Sequence, residues 1–238
     1  NFFVVEENKE LVTYINPIVS ISDGDIIFSK TDYVKILFNL LQKSSVKDIT
    51  LITHQSDIKI NNNLYNKKPK AISRWFSVNA SIEKKDLFAI PIGFANTHYK
   101  KNLNPELFDN KLKSFKKNNL IYINYNSNTN YFEREKIIKT YENNENFVIG
   151  SSNSSLKEYG KDLEKYKFVI CPPGNGIQTH RLWEALYFGA IPVVKNNILY
   201  KNFKNLNIVF VESFKNLTVK NLNNSVISEV EDYRNIFK

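Results

Sequence analysis

The most informative segment of the chain is FVICPPGNGIQTHRLWEALYFGAIPVV, residues 168–194. Its first four residues form the apolar run of a buried β-strand, and a loop rich in proline and glycine follows directly. The loop opens onto a helix predicted from about Thr179 to Phe188, which Thr179 is expected to cap. Gly189 ends that helix, and Ile191 to Val194 form the next strand. A strand, a helix and a further strand with short connections are typical of a parallel α/β sheet.

The loop and the first helical turns carry the residues of a predicted anion site. Glycines let a backbone approach a ligand closely, and amide groups at a helix N-terminus attract anions. Arg181 and Glu184 are three residues apart and therefore share a helix face. An arginine binds a diphosphate through two N–H groups, and a glutamate accepts hydrogen bonds from ribose hydroxyls. A surface salt bridge between these two side chains is the structural alternative. The predicted site residues are Pro173, Gly174, Asn175, Gly176, Thr179, His180, Arg181 and Glu184.

The rest of the chain repeats this alternation of strands and helices. In the first half, Ile26–Ser29 is expected to be a buried strand, and a helix follows from Thr31 or Asp32 to about Gln42. Val34, Leu37, Leu40 and Leu41 form one face of that helix. Further predicted elements are a strand at Ile49–Thr53, an exposed loop at Asn61–Lys70, and apolar runs at Trp75-Phe76 and Leu87–Ile90. The second half adds strands at Leu120–Ile123, Phe147–Ile149 and Ile208–Val211 and helices at Tyr131–Tyr141 and Leu156–Tyr166.

A polar, mainly helical stretch from Asn102 to Asn119 separates the two halves. The sequence therefore predicts an α/β protein with two Rossmann-like domains, residues 1–112 and 113–238, which face each other across a cleft. The element order alone supports this symmetry, because the sequence shows no internal repeat.

Composition and charge narrow the function classes. The 238 residues carry a net charge of +9 and 42% hydrophobic residues, which argues against a disordered chain. The single cysteine, Cys171, excludes an internal disulfide framework. A solvated surface rich in lysine and asparagine, as an AT-rich genome encodes, accounts for the charge, and attraction to phosphate is the functional alternative. Arginines occur only at positions 74, 134, 181 and 234, so the place of each is informative.

The segment from Pro173 to Val194 resembles the nucleotide-sugar site of exostosin-like glycosyltransferases, within them the ribitol xylosyltransferase-like branch. It is also similar to the C-terminal motif of fucosyltransferases, in which a basic residue at the position of Arg181 contacts the diphosphate. The resemblance extends more weakly to residues 75–79, 90–96 and 125–134. It implies a GT-B fold with acceptor recognition in the N-terminal domain and donor binding in the C-terminal one. Gln178 stands where the family pattern leads us to expect an acidic residue.

Three polar residues that follow the first strand of the second domain extend the predicted donor site. They are Asn124, Asn126 and Arg134. Arg134 is predicted as a second phosphate contact, and the alternative is a solvated arginine on an amphipathic helix.

Three residues of the first domain are candidates for the base that activates the acceptor hydroxyl: His54, Asp57 and Asp32. They lie at or just after the carboxyl ends of predicted parallel strands, where open α/β sheets bind ligands. A structural histidine is the alternative for His54. Asp23-Gly24-Asp25 matches the Asp-x-Asp of metal-dependent glycosyltransferases, but it precedes a strand and indicates a turn. We predict no metal site.

The sequence as a whole predicts a metal-independent GT-B hexosyl- or pentosyltransferase of glycan biosynthesis. Its donor is a nucleotide sugar, UDP rather than GDP, its acceptor is a glycan or glycosylated hydroxyl, and it needs no cofactor. Two alternatives stay open: a non-catalytic basic module that binds nucleotide or nucleic acid, for which Trp75-Phe76 beside Arg74 is a local hint, and an inactive relative. We expect a cytoplasmic protein with peripheral membrane association as an option. A removed membrane anchor or a Golgi-lumenal setting also stays open.

Overall fold

The computed structural model describes residues 20–95, 102–103, 117–151 and 153–226. The chain divides into two compact units between Ile90 and Pro91. The predicted domain boundary at residues 112 and 113 lies outside the described residues. Both units are α/β with parallel sheets, so the predicted fold class of two Rossmann-like units is confirmed.

The first unit is a four-stranded parallel sheet in the order β1-β2-β3-β4. Its elements are β1 (Ile26–Lys30), α1 (Val34–Gln42), β2 (Ile49–His54), α2 (Asn62–Tyr65), β3 (Ile72–Ser77) and β4 (Leu87–Ala89). Helix α1 packs Val34, Phe38 and Leu41 against one sheet face, around the fully buried Trp75. The indole N–H of Trp75 donates to Thr53 Oγ1 at 2.9 Å, which satisfies its buried polar atom.

Three expectations for the first unit are wrong. Strand β1 is not buried: among the described strands it pairs with β2 alone, and Ile26 and Phe28 are 70% and 59% exposed. Leu40 is 52% exposed, since the 3.6-residue period of α1 places Phe38 on the core face instead. The predicted loop at 61–70 contains α2, whose first turn is capped by the Asn61 side chain.

The second unit is a five-stranded parallel sheet in the order β6-β5-β7-β8-β9. Its strands are β5 (Asn118–Ile123), β6 (Phe147–Ile149), β7 (Tyr166–Ile170), β8 (Ile191–Lys195) and β9 (Val209–Val211). Its helices are α3 (Tyr131–Tyr141), α4 (Leu156–Lys165), α5 (His180–Tyr187) and α6 (Val219–Asn224). A short 3₁₀ helix at Ser127–Asn130 precedes α3.

Helix α4 shows how local sequence sets an element's ends in this unit. Ser155 and Glu158 form a capping box, in which each side chain bonds the other residue's backbone N–H. The predicted helix to Tyr166 ends one residue early, because Tyr166 begins β7 and stacks on Tyr122 of β5 with ring centroids 4.9 Å apart. No helix within the described residues is both long and apolar enough to cross a membrane.

Candidate functional site

The strand order of the second sheet marks one place for a ligand. β5 and β7 are neighbours, and the chain leaves β5 toward β6 on one side and β7 toward β8 on the other. Open α/β sheets bind ligands in the crevice beyond the carboxyl ends of two such strands. Here those ends continue into residues 124–126 and into the loop that begins at Cys171. The topology therefore selects the same loop that the sequence singled out.

Arg134 of α3 holds this loop in place. The residue is only 4% exposed, which contradicts the alternative of a solvated arginine. Its Nε donates to the Pro173 carbonyl at 3.1 Å, its Nη1 to the Asn126 carbonyl at 2.6 Å and to Thr129 Oγ1 at 2.5 Å, and its Nη2 to the Pro172 carbonyl at 3.3 Å. A guanidinium has five N–H groups, so these bonds leave one for a ligand. The predicted phosphate contact by Arg134 stays a prediction.

Arg181, in the first turn of α5, is in the opposite situation. Within the described residues its side chain forms no hydrogen bond and no ion pair, and its Nε is buried without a partner. Its Cζ lies over two tyrosine rings, 5.6 Å from the centroid of Tyr125 and 5.9 Å from that of Tyr159. A partly buried guanidinium without an acceptor is costly, and an anionic ligand would satisfy it.

The predicted alternative of an Arg181–Glu184 surface salt bridge is wrong. Glu184 is 4% exposed and forms no ion pair with Arg181. Its Oε2 accepts the Tyr159 hydroxyl at 3.0 Å, and the backbone N–H of Leu103 also bonds to its carboxylate. Burial raises the pKa of Glu184, although Arg181 and the Tyr159 hydroxyl oppose this.

The two arginines make the loop electropositive. Burial, and after it the charge of Arg181, lower the pKa of Arg134 to about 10. For Arg181, burial also disfavours the charge, but nearby Tyr159 and Glu184 outweigh it and raise the pKa. Gly174 lies beside Arg134, since a Cβ atom there would come within 3.1 Å of Arg134 Nη2. A site with two neighbouring guanidinium groups and one bound carboxylate favours a ligand with more than one negative charge.

The other predicted residues of the second unit lie around the loop. Asn124 donates to Tyr122 Oη at 2.8 Å and to the Ser151 carbonyl at 3.3 Å, and Asn126 accepts the Asn128 backbone N–H at 2.9 Å. Asn175 is exposed and Gly176 is buried. Thr179 precedes α5 as predicted, but its side chain forms no capping hydrogen bond.

A segment at the start of the second unit is attached to α5. His180 Nδ1 lies 2.7 Å from the Gly93 carbonyl, so it donates there and the lone pair of a neutral imidazole is on Nε2. Gln178 Oε1 accepts the Ile92 backbone N–H at 3.1 Å and the Trp183 indole N–H at 3.0 Å. Gln178 therefore serves as an acceptor for the protein's own N–H groups, where the family pattern led us to expect an acidic residue.

The three candidate bases lie at one edge of the first sheet. The register pairs Lys30 with His54, so Asp32, which follows β1, and His54, which ends β2, lie at the same carboxyl edge. His54 Nδ1 accepts the Gln55 backbone N–H at 2.8 Å, so the proton of the neutral ring is on Nε2. Asp32 and Asp57 are exposed.

The residues 23–25 form the predicted turn. Gly24 has a φ of +82°, Asp25 Oδ2 accepts the Ser22 N–H, and Asp23 Oδ1 accepts the Lys47 N–H, each at 2.8 Å. Among the described residues no group of three or more acidic, histidine or cysteine side chains could hold a metal ion.

Tyr125 and Tyr159 were not predicted from the sequence. Tyr125 lies two residues after β5 and Tyr159 lies in α4, 34 positions further along the chain, and the fold brings both to Arg181. The place of Tyr125 close behind a strand, at the start of the weaker resemblance over residues 125–134, is the signal that could have indicated it.

One comparison with known proteins identifies the family of the chain. The family model of the Exostosin GT47 domain matches residues 40–207, more than two thirds of the chain. The chain belongs to the exostosin GT47 family. The exostosin-like resemblance is thereby confirmed, and the two parallel sheets fit the GT-B-like, Rossmann-type fold that it implied. As an exostosin GT47 member the chain is a glycosyltransferase, which implies a nucleotide-sugar donor and a glycan acceptor. No curated protein matches it.

Proposed function

We propose that the second unit binds the diphosphate of a UDP-sugar between Arg181, Arg134 and the backbone amides that follow Pro173. The sugar is transferred to a hydroxyl of a glycan or glycosylated acceptor, so that the protein acts as a GT-B hexosyl- or pentosyltransferase. The single observation that carries the proposal is the unpaired Arg181 guanidinium at the β5/β7 crevice. No other described side chain of this loop has an unsatisfied buried N–H group.

The chemistry needed from the protein is stabilisation of the departing diphosphate. As the bond between the sugar and the diphosphate breaks, negative charge grows on the leaving oxygen. Preorganised cationic donors in a partly buried site stabilise such a charge more in the transition state than in the ground state. Two guanidinium groups supply this without a divalent ion, and we therefore propose a metal-independent transfer that needs no cofactor.

The acceptor hydroxyl must lose a proton when it attacks. We propose that a carboxylate at the carboxyl edge of the first sheet, Asp57 or Asp32, accepts it. His54 is less suited, because its Nδ1 already accepts a backbone N–H and its Nε2 carries the proton. Asp57→Asn and Asp32→Asn should leave UDP affinity unchanged, and the variant that removes the base should lose turnover.

The donor site is tested by calorimetric titration with UDP, GDP and their sugars, in EDTA and in Mg²⁺ or Mn²⁺. We expect UDP to bind equally well in EDTA. Arg181→Ala should weaken UDP binding by about 10- to 100-fold, since a charge-assisted hydrogen bond contributes ~1.5–3 kcal/mol. Arg74→Ala is the matched control, because it removes an exposed arginine from β3 of the first unit.

Two results would overturn the proposal. One is an Arg181→Ala variant that binds UDP as the parent protein does. The other is binding that appears only with a divalent ion, which would replace the two-arginine mechanism by a metal-dependent one.

A further inference from the structure

We propose that Tyr125 and Tyr159 are positioning residues that hold Arg181 through their ring faces, so that its N–H groups stay available for the diphosphate. The inference rests on the proposed function, because it explains how the donor site is kept ready for an anion. It also assigns Glu184 a part in this arrangement, in place of the predicted ribose contact.

The contacts of Arg134 and Arg181 carry the argument. Both guanidinium groups lie over the ring of Tyr125, with Cζ at 5.2 Å from its centroid for Arg134 and 5.6 Å for Arg181. Arg134 also forms four hydrogen bonds. Within the described residues Arg181 forms none, and its one further contact of this kind is with the Tyr159 ring, at 5.9 Å. Ring contacts are therefore what the described structure provides to fix the Arg181 side chain.

A ring face differs from an oxygen acceptor in the part of the guanidinium that it occupies. A carboxylate or carbonyl binds the N–H edge, which is the edge that a phosphate needs. An aromatic face attracts the cation through its quadrupole and leaves that edge open. Two tyrosines can thus stabilise a partly buried charge without competing with the ligand.

Both rings are fixed by their hydroxyl groups. The Tyr159 hydroxyl donates to Glu184 Oε2 at 3.0 Å, and the Tyr125 hydroxyl donates to the Arg134 carbonyl at 3.1 Å. The two residues are 8% and 5% exposed, so packing also restricts them. Glu184 thereby acts on Arg181 through Tyr159, and it supplies a nearby negative charge without occupying the N–H groups.

The test separates ring electrostatics from ring shape. Phenylalanine and pentafluorophenylalanine are introduced in turn at positions 159 and 125 of the full chain, and UDP and inorganic pyrophosphate are titrated. Fluorination keeps the ring in place and removes the negative charge of its face. Position 141 is the matched control, because Tyr141 is also buried and bonded through its hydroxyl, to the Phe214 carbonyl at 2.7 Å, without a ring contact to Arg181.

Tyr159→Phe and Tyr125→Phe keep the ring and remove the hydroxyl, so each is the reference with which its fluorinated counterpart is compared. The fluorinated ring at either position should weaken binding by about 3- to 30-fold relative to phenylalanine, the range for a cation–π contact. In the Arg181→Ala background fluorination at position 159 should have no effect, whereas at position 125 the part that acts through Arg134 remains. At position 141 fluorination should have no effect in either background. If the ring positions Arg181, phenylalanine and pentafluorophenylalanine give different UDP affinities. If the ring only fills space, the two variants bind UDP equally well.

The outcomes distinguish this inference from the proposed function. If fluorination leaves UDP affinity unchanged while Arg181→Ala lowers it, the donor site stands and the ring inference is wrong. If the parent protein binds neither UDP nor pyrophosphate, the proposed function itself fails. If fluorination at position 159 weakens binding equally with Arg181 and with alanine in its place, the ring acts through the fold and the inference is also overturned.

Discussion

At the scale of single residues, the two arginines of the second unit have opposite tasks. Arg134 gives its N–H groups to carbonyls of the loop, and Arg181 keeps its own without a protein acceptor. An arginine whose N–H groups bind the protein's own carbonyls contributes to stability. An arginine whose N–H groups lack an acceptor can form those hydrogen bonds with a ligand instead. The sequence placed Arg181 in the site because the adjoining loop and helix start were recognisable. It did not reveal the bonds of Arg134, since their acceptors lie 5 to 39 positions away along the chain.

This difference predicts that alanine at the two positions changes the free energy of unfolding by very different amounts. Arg134→Ala removes a donor from the carbonyls of Asn126, Pro172 and Pro173, of which Pro173 keeps the Asn130 side-chain N–H. We expect a loss of about 3 kcal/mol in the free energy of unfolding. In the described part of the chain Arg181 forms no hydrogen bond, and its repulsion from Arg134 offsets its ring contacts, so Arg181→Ala should change the free energy of unfolding by less than about 1 kcal/mol. Urea unfolding of both variants measures this, and an Arg181→Ala variant as unstable as Arg134→Ala would contradict it.

At the scale of elements, the sequence predicted the strands and helices that run through the cores. Their apolar periods and glycine or proline ends are local signals, as at α3, which spans the predicted residues 131–141. The features that the sequence did not predict depend on contacts with elements distant in the chain. Among the described strands β1 has one partner, which leaves Ile26 and Phe28 exposed, and the short helix α2 packs Leu64 into the core of the first unit. Neither fact is visible in a window of the sequence.

The carboxyl end of α4 predicts a pH effect on stability. Lys117 Nζ donates to the carbonyls of Leu163 and Glu164 at 2.7 and 2.8 Å, and burial lowers its pKa to about 8. Between pH 8 and about 10.5 the unfolded chain holds a proton on this lysine that the folded chain has lost. The contribution of Lys117 to stability therefore rises with pH across this window.

A Lys117→Met variant checks this sign, because methionine keeps most of the packing and does not titrate. The free energy of unfolding of the parent minus that of Lys117→Met should increase by about 3 kcal/mol between pH 8 and 10.5. Lys161→Met, at an exposed position of the same helix, is the control and should show no such increase. A difference that stays constant or falls over this range would show that the lysine is not destabilised by burial.

At the scale of the whole molecule, the net charge of +9 suggests a nucleic-acid ligand, whereas the fold suggests a nucleotide sugar. The position of Trp75 argues against the nucleic acid. Trp75 and Phe76, the aromatic hint for nucleic-acid binding, belong to the first sheet, where Trp75 is fully buried and cannot stack on a base. The net charge comes mainly from lysines dispersed along the chain. The composition predicted a basic protein, but it could not show how the lysines are distributed. The order of predicted strands and helices was enough to predict two parallel α/β units.

Binding through dispersed surface lysines and binding at the two-arginine loop should respond differently to salt. Binding through many surface lysines releases counterions and weakens steeply with ionic strength, so retention on a single-stranded oligonucleotide should be lost between about 50 and 200 mM NaCl. UDP meets two guanidinium groups in a partly buried loop, where salt screens less, and its affinity should fall by no more than about tenfold over the same range. Arg181→Ala should weaken UDP binding and leave oligonucleotide retention unchanged. Salt-resistant oligonucleotide binding that competes with UDP would mean that the arginine loop serves a nucleic acid, because only a shared site makes the two ligands exclude each other.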